Sequence, residues 1–328
     1  MSPPHVLVLT RDQDPHADHV RDLLAGRGAR TTVFDNRDYL TRAHVELAYT
    51  ARGLARRLLH TEDGTLDLDS LTAVWWRRPR PPEAHPAITD PSVAAYTAKE
   101  SVDLLTDLWE HLPCRMVPAR ESVYRRAAHK PSQLMLAAEL GFEIPETLIA
   151  TQADALWDFH NRHDGHIITK PMGMPWVENL AGGHTVIRKC EFVSARDLAY
   201  AEALRFCPVI AQQYVPKRLE LRVTVVGRRV FAAEIHSQES NRSRVDWRRY
   251  NLEVTPYGVH RLPDEVADRC LAMTDRLGLV FGAFDLVLTP DGRYVFLEIN
   301  PNGQWLWVEE LTGLPISEAL CDLLLEGA

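Results

Sequence analysis

The stretch 280–307, VFGAFDLVLTPDGRYVFLEINPNGQWLW, contains two apolar runs joined by a tight turn. Residues 281–289 and 293–299 are apolar and rich in β-branched side chains, and a Pro-Asp-Gly turn lies between them at 290–292. Proline presets φ and glycine accepts positive φ, so this order of residues predicts an antiparallel β-hairpin.

Oxygen-bearing side chains converge on one face of this predicted hairpin. Side chains alternate along a strand, so Glu298 and Asn300 share one face of the second strand. Asp285 lies at about the same distance from the turn on the first strand, and a register uncertain by one residue lets it point to the same side. Two carboxylates and an amide oxygen are hard ligands that suit Mg²⁺ completed by phosphates and water. The apolar residues of the second strand are expected on its opposite face: Val295, Leu297 and Ile299.

The alternative for this face is an ordinary surface, because acidic residues are common on the solvated side of an antiparallel hairpin. Here an Asn-Pro-Asn-Gly segment at 300–303 ends the strand abruptly, and the bulky Trp305 and Trp307 follow. Polar groups at a strand end with aromatic side chains beside them favour a site.

Composition limits the class of protein. The 328 residues are 45% hydrophobic and 25% charged, as in a soluble chain of two or three domains. A net charge of −8 argues against nucleic acid as a partner. No basic signal-peptide start and no membrane-length apolar run are present, so we expect a cytoplasmic protein without a membrane partner. Five scattered cysteines without CxxC or HExxH indicate neither a disulfide framework nor a zinc site.

The first hundred residues have the pattern of a parallel sheet. A strand at 5–10, a helix at 15–26 and a strand at 31–35 predict a β-α-β unit. No GxGxxG follows the first strand, which disfavours a dinucleotide site. A further strand at 73–78 is followed by prolines, and guanidinium groups at its end are candidates for holding a carboxylate, the alternative being a solvated strand end. These are Arg77, Arg78 and Arg80.

Two lysines occur where an anion is expected. Lys130 lies at a helix start, where the helix dipole also favours a phosphate, although surface lysines are abundant. Lys170 ends a mostly apolar strand and requires an anionic partner if it is buried. A loop with Gly173, Gly182 and Gly183 follows; such loops cover phosphates in nucleotide enzymes, although a glycine pair by itself predicts a turn.

A second hairpin is predicted over 219–236. Glu220 and Arg222 share a face of its first strand, and the simplest interpretation is a surface ion pair between them, worth little energetically.

The order of these features resembles the ATP-grasp superfamily over nearly the whole chain. The most specific shared motif is Asp285 followed by Glu298-Ile-Asn300. Within the superfamily the chain is similar to the peptide maturases of the graspetide, or microviridin, type, especially their actinobacterial branch. The similar strings are WWRRPRPP, HKPSQL, ELRVTVVG, FAAEIHS, VDWRRY and LEINPNGQWLWVEELTGLPISEAL.

The resemblance implies an α/β (α+β) architecture, an ATP-grasp fold with an N-terminal Rossmann-like pre-ATP-grasp domain. The implied domains are a pre-ATP-grasp domain at 1–115, a central subdomain with the Gly loop at 116–200, and a C-terminal subdomain with the Mg-ATP site at 201–328.

The resemblance also implies a chemistry. ATP phosphorylates an Asp or Glu side chain of a ribosomal precursor peptide made of a leader and an acidic, Thr-rich core. A Ser/Thr hydroxyl or a Lys amine of the same peptide then attacks the acyl phosphate. The product is a side-chain ester, which we favour, or an amide, and analogy with the family favours a homodimer.

Roles follow residue by residue from the resemblance. The metal would be held by Asp285, Glu298 and Asn300, and ATP phosphates would be contacted by Lys130 and Lys170. The remaining assignments are Gln213, Tyr214 and Val215 at adenine, Glu220 at ribose, Arg222 and Arg248 at the transferring phosphoryl group or acyl phosphate, and Arg77 and Arg78 at the acidic core peptide.

One departure from the family pattern concerns the adenine side. Many superfamily members carry an acidic residue where this chain has Gln212-Gln213, and the Gly loop contains few glycines.

Two other functions compete with the macrocyclase: a ligase that acts on another carboxylate acceptor, such as one adding an amino acid to a protein's C-terminus, and a nucleotide-dependent peptide-binding module without catalysis. The WRRP and GQW strings argue against the first, and the intact metal and lysine set argues against the second.

Overall fold

The computed structural model describes residues 3–173, 176–180, 184–239, 245, 247 and 255–326. Its strands, in chain order, are β1 (His5–Leu9), β2 (Arg30–Phe34), β3 (His44–Thr50), β4 (Gly53–Thr61), β5 (Gly64–Asp67), β6 (Ala73–Trp76), β7 (Arg115–Val117), β8 (Thr147–Ala150), β9 (Ile167–Lys170), β10 (Trp176–Leu180), β11 (His184–Ile187), β12 (Glu191–Phe192), β13 (Val209–Gln213), β14 (Leu219–Val226), β15 (Arg229–Ile235), β16 (Tyr257–Val259), β17 (Phe281–Leu288) and β18 (Tyr294–Asn300).

The helices are α1 (Pro15–Gly26), α2 (Pro91–Glu110), α3 (Glu121–Ala127), α4 (Lys130–Glu139), α5 (Ala153–Arg162), α6 (Ala195–Ala199), α7 (Asp264–Leu277), α8 (Leu306–Thr312) and α9 (Ile316–Leu325). Short 3-10 turns lie at Asn36–Asp38, Leu68–Ser70, Ala201–Phe206 and Ser237–Glu239. Across the described ranges, no helix combines the length and apolar character needed to cross a bilayer.

The N-terminal sheet is parallel, with strand order β2-β1-β6-β7, and the predicted β-α-β opening is confirmed. Leu9 pairs with Trp76, so β1 and β6 end at the same level and the residues that follow them lie at one edge of the sheet. In open α/β sheets this carboxyl edge is where ligands bind. An antiparallel sheet of β3, β4 and β5 adjoins this unit.

The central sheet is antiparallel, in the order β16-β15-β14-β17-β18. Every residue of its middle strands β14 and β17 is buried. The predicted hairpin 280–307 forms its β17–β18 edge. A smaller antiparallel sheet, β12-β9-β13-β8, and the β10–β11 pair complete the described strands. The boundaries proposed at 115/116 and 200/201 stay predictions.

A bulge interrupts the β17–β18 pairing. Asp285 pairs with Glu298, but the next residue, Leu286, pairs with Phe296, so Leu297 is the extra residue. The prediction that Val295 and Leu297 share a face with Ile299 is therefore wrong, because the extra residue shifts the alternation. Val295 and Leu297 pack with Val215 and Val287 on the side of Asp285, whereas Ile299 packs in the opposite core.

Trp305 joins the N-terminal sheet to the C-terminal helices. Its side chain is 1% exposed, and its ring centroid lies 5.7 Å from that of Trp75 and 5.5 Å from that of Phe281. Its indole Nε1 donates to Ser317 Oγ of α9 at 3.1 Å. The tryptophan therefore connects β6, β17 and α9 in one core cluster.

We expect Trp305→Ala to lower the free energy of unfolding by about 3–5 kcal/mol, because the cavity left by a buried aromatic is not refilled. Urea denaturation followed by circular dichroism measures the change. The control is Trp157→Ala on α5, whose side chain is 42% exposed and whose loss is expected to cost less than about 0.5 kcal/mol. Equal losses in both variants would contradict the role given to Trp305.

His16 caps the start of α8. Its Nε2 accepts hydrogen bonds from the backbone N–H groups of Trp305 at 3.3 Å and Leu306 at 3.2 Å. An acceptor at Nε2 places the ring proton on Nδ1, which faces Asp14 Oδ1 at 3.5 Å. Burial of the ring and the nearby Arg77 lower the pKa of His16 below its ordinary value of 6.5, despite the opposing effect of Asp14.

This geometry predicts a pH-dependent stability. The unfolded chain takes up a proton at His16 near pH 6.5, whereas the folded chain does so at lower pH. The stabilisation by His16 is therefore complete above pH 6.5 and is lost as the pH falls from there toward the folded pKa. In His16→Gln, whose amide does not titrate, we expect the stability difference from the wild type to narrow between pH 7.5 and 5.5. A difference that is constant over this range in urea titrations would refute the cap.

Candidate active site

Asp285 and Glu298 lie opposite each other on β17 and β18, so the face predicted for both carboxylates is confirmed. Asn300 lies on the same side: its Nδ2 is 3.3 Å from Asp285 Oδ2 and 3.5 Å from Glu298 Oε1. Both carboxylates are less than a tenth exposed. Within the described ranges no group of three or more His, Cys, Asp or Glu is arranged for a metal.

Each buried carboxylate has a cation from another element. Arg222, opposite Asp285 on β14, places Nη1 2.9 Å from Asp285 Oδ1, and Lys130 places Nζ 3.0 Å from Glu298 Oε2. The surface ion pair considered between Glu220 and Arg222 is not formed. Glu220 is buried and pairs instead with Lys217 at 2.6 Å.

Gln133 fixes the position of Lys130 over the carboxylates. Helix α4 begins at Lys130 with proline in its first turn, which suits the fixed φ of proline. One turn later the Gln133 amide accepts from Ile299 N at 3.1 Å and donates to Ile299 O at 2.8 Å. The helix start is therefore held against the backbone of β18.

Lys170 lies where the bulge exposes a carbonyl. It ends β9, is 6% exposed, and its Nζ is 3.5 Å from Leu297 O. Because Leu297 is the extra residue in β18, its carbonyl does not continue the strand ladder and is available to an ammonium group.

An apolar-walled pocket lies beside the carboxylates. Val215, Val287 and Leu297 supply its apolar wall, and Lys170, Lys217 and Glu220 line it as well. Apolar walls with a few placed polar groups are typical of a small-ligand site.

The segment predicted to contact adenine borders this pocket. The N–H of Gln213 donates to Glu146 O and that of Tyr214 donates to His166 O, both at 2.9 Å. The Gln212 side chain is buried and donates to Thr147 Oγ1 at 2.9 Å. The amide at 212 therefore contributes to the β13–β8 contact.

A larger cleft of about 440 Å³ adjoins the pocket and is bordered by the same carboxylates. Tryptophan rings line it, with Trp247 lying 5.9 Å over the Arg222 guanidinium and 5.0 Å from the ring of Trp307. Gly173 of the predicted Gly loop borders the cleft, whereas Gly182, Gly183 and Arg248 lie outside the described residues.

Gly303 leaves room for the Arg222 guanidinium. A Cβ at residue 303 would lie 2.4 Å from Arg222 Nη2 and 2.4 Å from the Ala283 Cβ. Arg222 Nη2 also donates to Gln304 O at 3.1 Å. The chain after β18 therefore closes around the arginine.

The two arginines predicted at the peptide differ in exposure. Arg77 is fully buried: its Nε is 3.3 Å from Asp14 Oδ2, and its guanidinium lies 5.5 Å from the Trp305 ring. Burial lowers the pKa of Arg77 to about 10. Arg78 is half-buried and borders the cleft. Direct contact of either residue with a peptide stays a prediction, and it is better supported for Arg78.

Asn302 connects the N-terminal sheet to this site. Its Nδ2 donates to the carbonyls of Trp76, at 3.0 Å, and of Arg77. Sequence reasoning gave no role to this side chain, nor to several other residues that hold or border the site, among them Gln133, Lys217, Trp247 and Gly303. The signal for Asn302 and Gly303 was their place directly after the Glu-x-Asn motif.

Comparisons with known proteins show the family to which this chain is related. Residues 5–123 match the family described as the MvdD pre-ATP grasp domain. Macrocyclase MdnB from Microcystis aeruginosa is similar at 30% identity and a TM-score of 0.81, with 99% of this chain and 100% of that chain covered. Macrocyclase MdnC of the same organism, bound with precursor peptide MdnA, is similar at 28% identity and a TM-score of 0.86, over 98% and 100%.

A third similar structure is a RiPP-associated ATP-grasp ligase from Chryseobacterium gregarium in complex with ADP and a leader and core peptide. It shares 26% identity and a TM-score of 0.89, over 99% of this chain and 97% of that chain. No sequence among the curated proteins matches this chain. With its MvdD-type pre-ATP-grasp domain and its full-length similarity to MdnB, the chain belongs to the graspetide, or microviridin-type, peptide maturases of the ATP-grasp superfamily.

Proposed function

We propose that the chain is an ATP-dependent macrocyclase acting on a ribosomally made precursor peptide. A side-chain carboxylate of the peptide attacks the γ-phosphorus of ATP, and ADP leaves. A Ser or Thr hydroxyl, or a Lys amine, then attacks the acyl carbon, and phosphate leaves. The peptide thereby loses one water for each ester or amide formed, and the ester remains our preference.

Asp285, Glu298 and Asn300 are the residues proposed to hold Mg²⁺. The two carboxylates supply hard oxygen donors and the Asn300 side-chain amide lies beside them, a set of groups that fits this ion. When bound, the metal supplies charge neutralisation for the phosphates. Arg222 and Lys130 line the larger cleft beside Asp285 and Glu298, so both cations are positioned to contact the phosphates of ATP.

The apolar-walled pocket is proposed for the nucleotide base. Gln213 and Tyr214 already donate their N–H groups to the carbonyls of Glu146 and His166, so Val215 is the residue of the three that we propose as a donor to adenine. Its neighbours Val287 and Leu297 supply apolar contact for the ring. Glu220 lines the same pocket and stays our candidate for ribose, and Lys170 for a phosphate.

Arg222 is proposed to stabilise charge on the group being transferred. Its guanidinium is held by Asp285, Gln304 O and Trp247, so it requires little rearrangement during reaction. Arg248 is proposed for the same role, and Arg78 for the acidic core peptide. Trp247 and Trp307 border the cleft and limit the access of water, which would otherwise hydrolyse the acyl phosphate.

One observation carries the proposal: two buried carboxylates, each balanced by a cation from another element, lie where the apolar-walled pocket meets the larger cleft. Such a junction suits a reaction between ATP and a bulky acceptor. A cytoplasmic location, a homodimer and membership of the actinobacterial branch stay predictions.

The test is mass spectrometry of the acidic, Thr-rich peptide encoded beside this gene after incubation with the protein, ATP and Mg²⁺. We expect an ATP-dependent loss of one water for each bond, and mild base then separates ester from amide.

In Asp285→Asn the rate of peptide dehydration should fall about a hundredfold or more, because a proposed metal ligand and the carboxylate partner of Arg222 are lost together. Asp158→Asn, an exposed change on α5, is the matched control.

Three results would contradict this reading. An unchanged peptide mass with peptide-independent ATP hydrolysis would indicate a ligase for another acceptor. No ATP turnover would indicate a binding module. Full activity in Asp285→Asn would refute the metal assignment.

Gly303→Ala tests the position of Arg222 separately. The new methyl group overlaps both Ala283 and the guanidinium, so the arginine is displaced from the carboxylate face. We expect kcat to fall at least about tenfold while ADP affinity changes less than about twofold, since the base pocket does not contain residue 303. Gly292→Ala in the hairpin turn, where a Cβ meets nothing within 4 Å although φ is +88°, controls for strain at a distant glycine. Equal kcat in both variants would argue against this role of Arg222.

A further inference from the structure

A second cavity, of about 810 Å³, lies at the carboxyl edge of the N-terminal sheet. The backbone N–H groups of Arg77 and Arg78 both donate to Leu9 O, at 3.0 and 3.1 Å, which fixes the end of β6 against the end of β1. Arg11 and Arg78 each follow the paired residues, Leu9 and Trp76, by two positions. The register therefore brings both arginines to the same cavity, at the point where the strand order reverses.

The walls of this cavity are rigid. Trp76 and Trp109 contribute buried indole rings, and Pro79, Pro81 and Pro82 line it with a backbone whose φ angles are fixed. A cavity with such walls keeps its charged side chains at defined positions, so a ligand that fits pays little for ordering the protein.

The cationic groups of the cavity are only partly neutralised. Arg80 pairs with Asp35, and Arg125 donates from Nε to Glu121 at 2.6 Å. Arg11 and Arg78, in contrast, have no carboxylate within 4 Å in the part of the chain that the structure describes. The Gln304 side-chain amide lies 3.0 Å from Arg78 Nη2, but this group is neutral, so the charge of both guanidinium groups is left for an anion from outside.

The behaviour of Arg77 reports the same excess of positive charge. Its pKa is lowered to about 10, first by burial and then, against the opposing effect of Asp14, by Arg78 and Arg11. An anion between Arg11 and Arg78 would relieve this repulsion.

The cavity continues into the reaction cleft. Arg78, Tyr124 and Asn302 border both spaces. A peptide whose reacting carboxylate lies by Arg222 can therefore extend past Arg78 into this second cavity at the edge of the N-terminal sheet. A precursor core rich in Asp and Glu would place further carboxylates there.

We propose that this cavity is a second carboxylate subsite, in which Arg11 and Arg78 hold an Asp or Glu side chain that neighbours the one being activated. The inference rests on the proposed function, since it assumes an acidic peptide in the cleft. Guanidinium forks bind carboxylates bidentately, so the subsite would fix the register of the peptide as well as add affinity.

The experiment measures binding of N-acetyl-triglutamate amide to the full chain by calorimetry, at low salt and with ADP and Mg²⁺ present. We expect binding of triglutamate, no binding of N-acetyl-triglutamine amide, and about tenfold weaker triglutamate binding in Arg11→Gln, as for loss of a charge-assisted hydrogen bond. Arg11→Lys should restore part of the affinity. Arg21→Gln on α1, an exposed arginine paired with Asp18, is the control and should bind as the wild type does.

Equal affinities in Arg11→Gln and Arg21→Gln would overturn the subsite, and so would triglutamate binding that is detected only when ADP and Mg²⁺ are left out, which would place the peptide beside Asp285 and Glu298. Inorganic phosphate that competes equally well would show a general anion site and would also overturn the carboxylate assignment. The assay needs no turnover: triglutamate binding without peptide dehydration would refute the proposed function alone, and dehydration without triglutamate binding at Arg11 would refute the subsite alone.

Discussion

Charge balance around two buried carboxylates is the constraint on which the rest of the structure depends. Asp285 and Glu298 are almost completely removed from water, and an isolated charge in such a place costs several kcal/mol. Arg222 on β14 and Lys130 on α4 supply the compensation from separate elements. Electrostatics therefore requires the strand order β14-β17-β18, and the contact of α4 with β18, as much as packing does.

The same arrangement explains why the apolar-walled pocket and the larger cleft meet at the two carboxylates. The carboxylates border both spaces, and Arg222 and Lys130, the cations that balance them, line the larger cleft. An enzyme that moves a phosphoryl group from nucleotide to peptide needs this adjacency, because the two reactants must touch while water is kept out. Here the bulge at Leu297 adds Lys170 to the same boundary by turning a carbonyl toward it.

Local patterns predicted the hairpin and the shared face of Asp285, Glu298 and Asn300, because alternation and distance from the turn are properties of short segments. The bulge could not be read in this way, since it depends on groups far along the chain: Phe296 N donates to Glu143 O, and Lys170 meets Leu297 O. For the same reason the partner of Arg222 was missed. Alternation placed it beside Glu220, but the neighbouring strand decided that it pairs with Asp285.

Two side-chain amides hold the parts of the site together by binding main chain. Gln133 contacts the peptide groups of Ile299, and Asn302 contacts the carbonyls of Trp76 and Arg77. Contacts of this kind depend on the path of the backbone and not on the identity of the side chains that it carries. Residues at the carboxyl edge of the N-terminal sheet can therefore change during evolution while their distance from Asp285 and Glu298 is kept. Such an attachment gives a family of maturases the freedom to diversify in substrate without rebuilding its catalytic half.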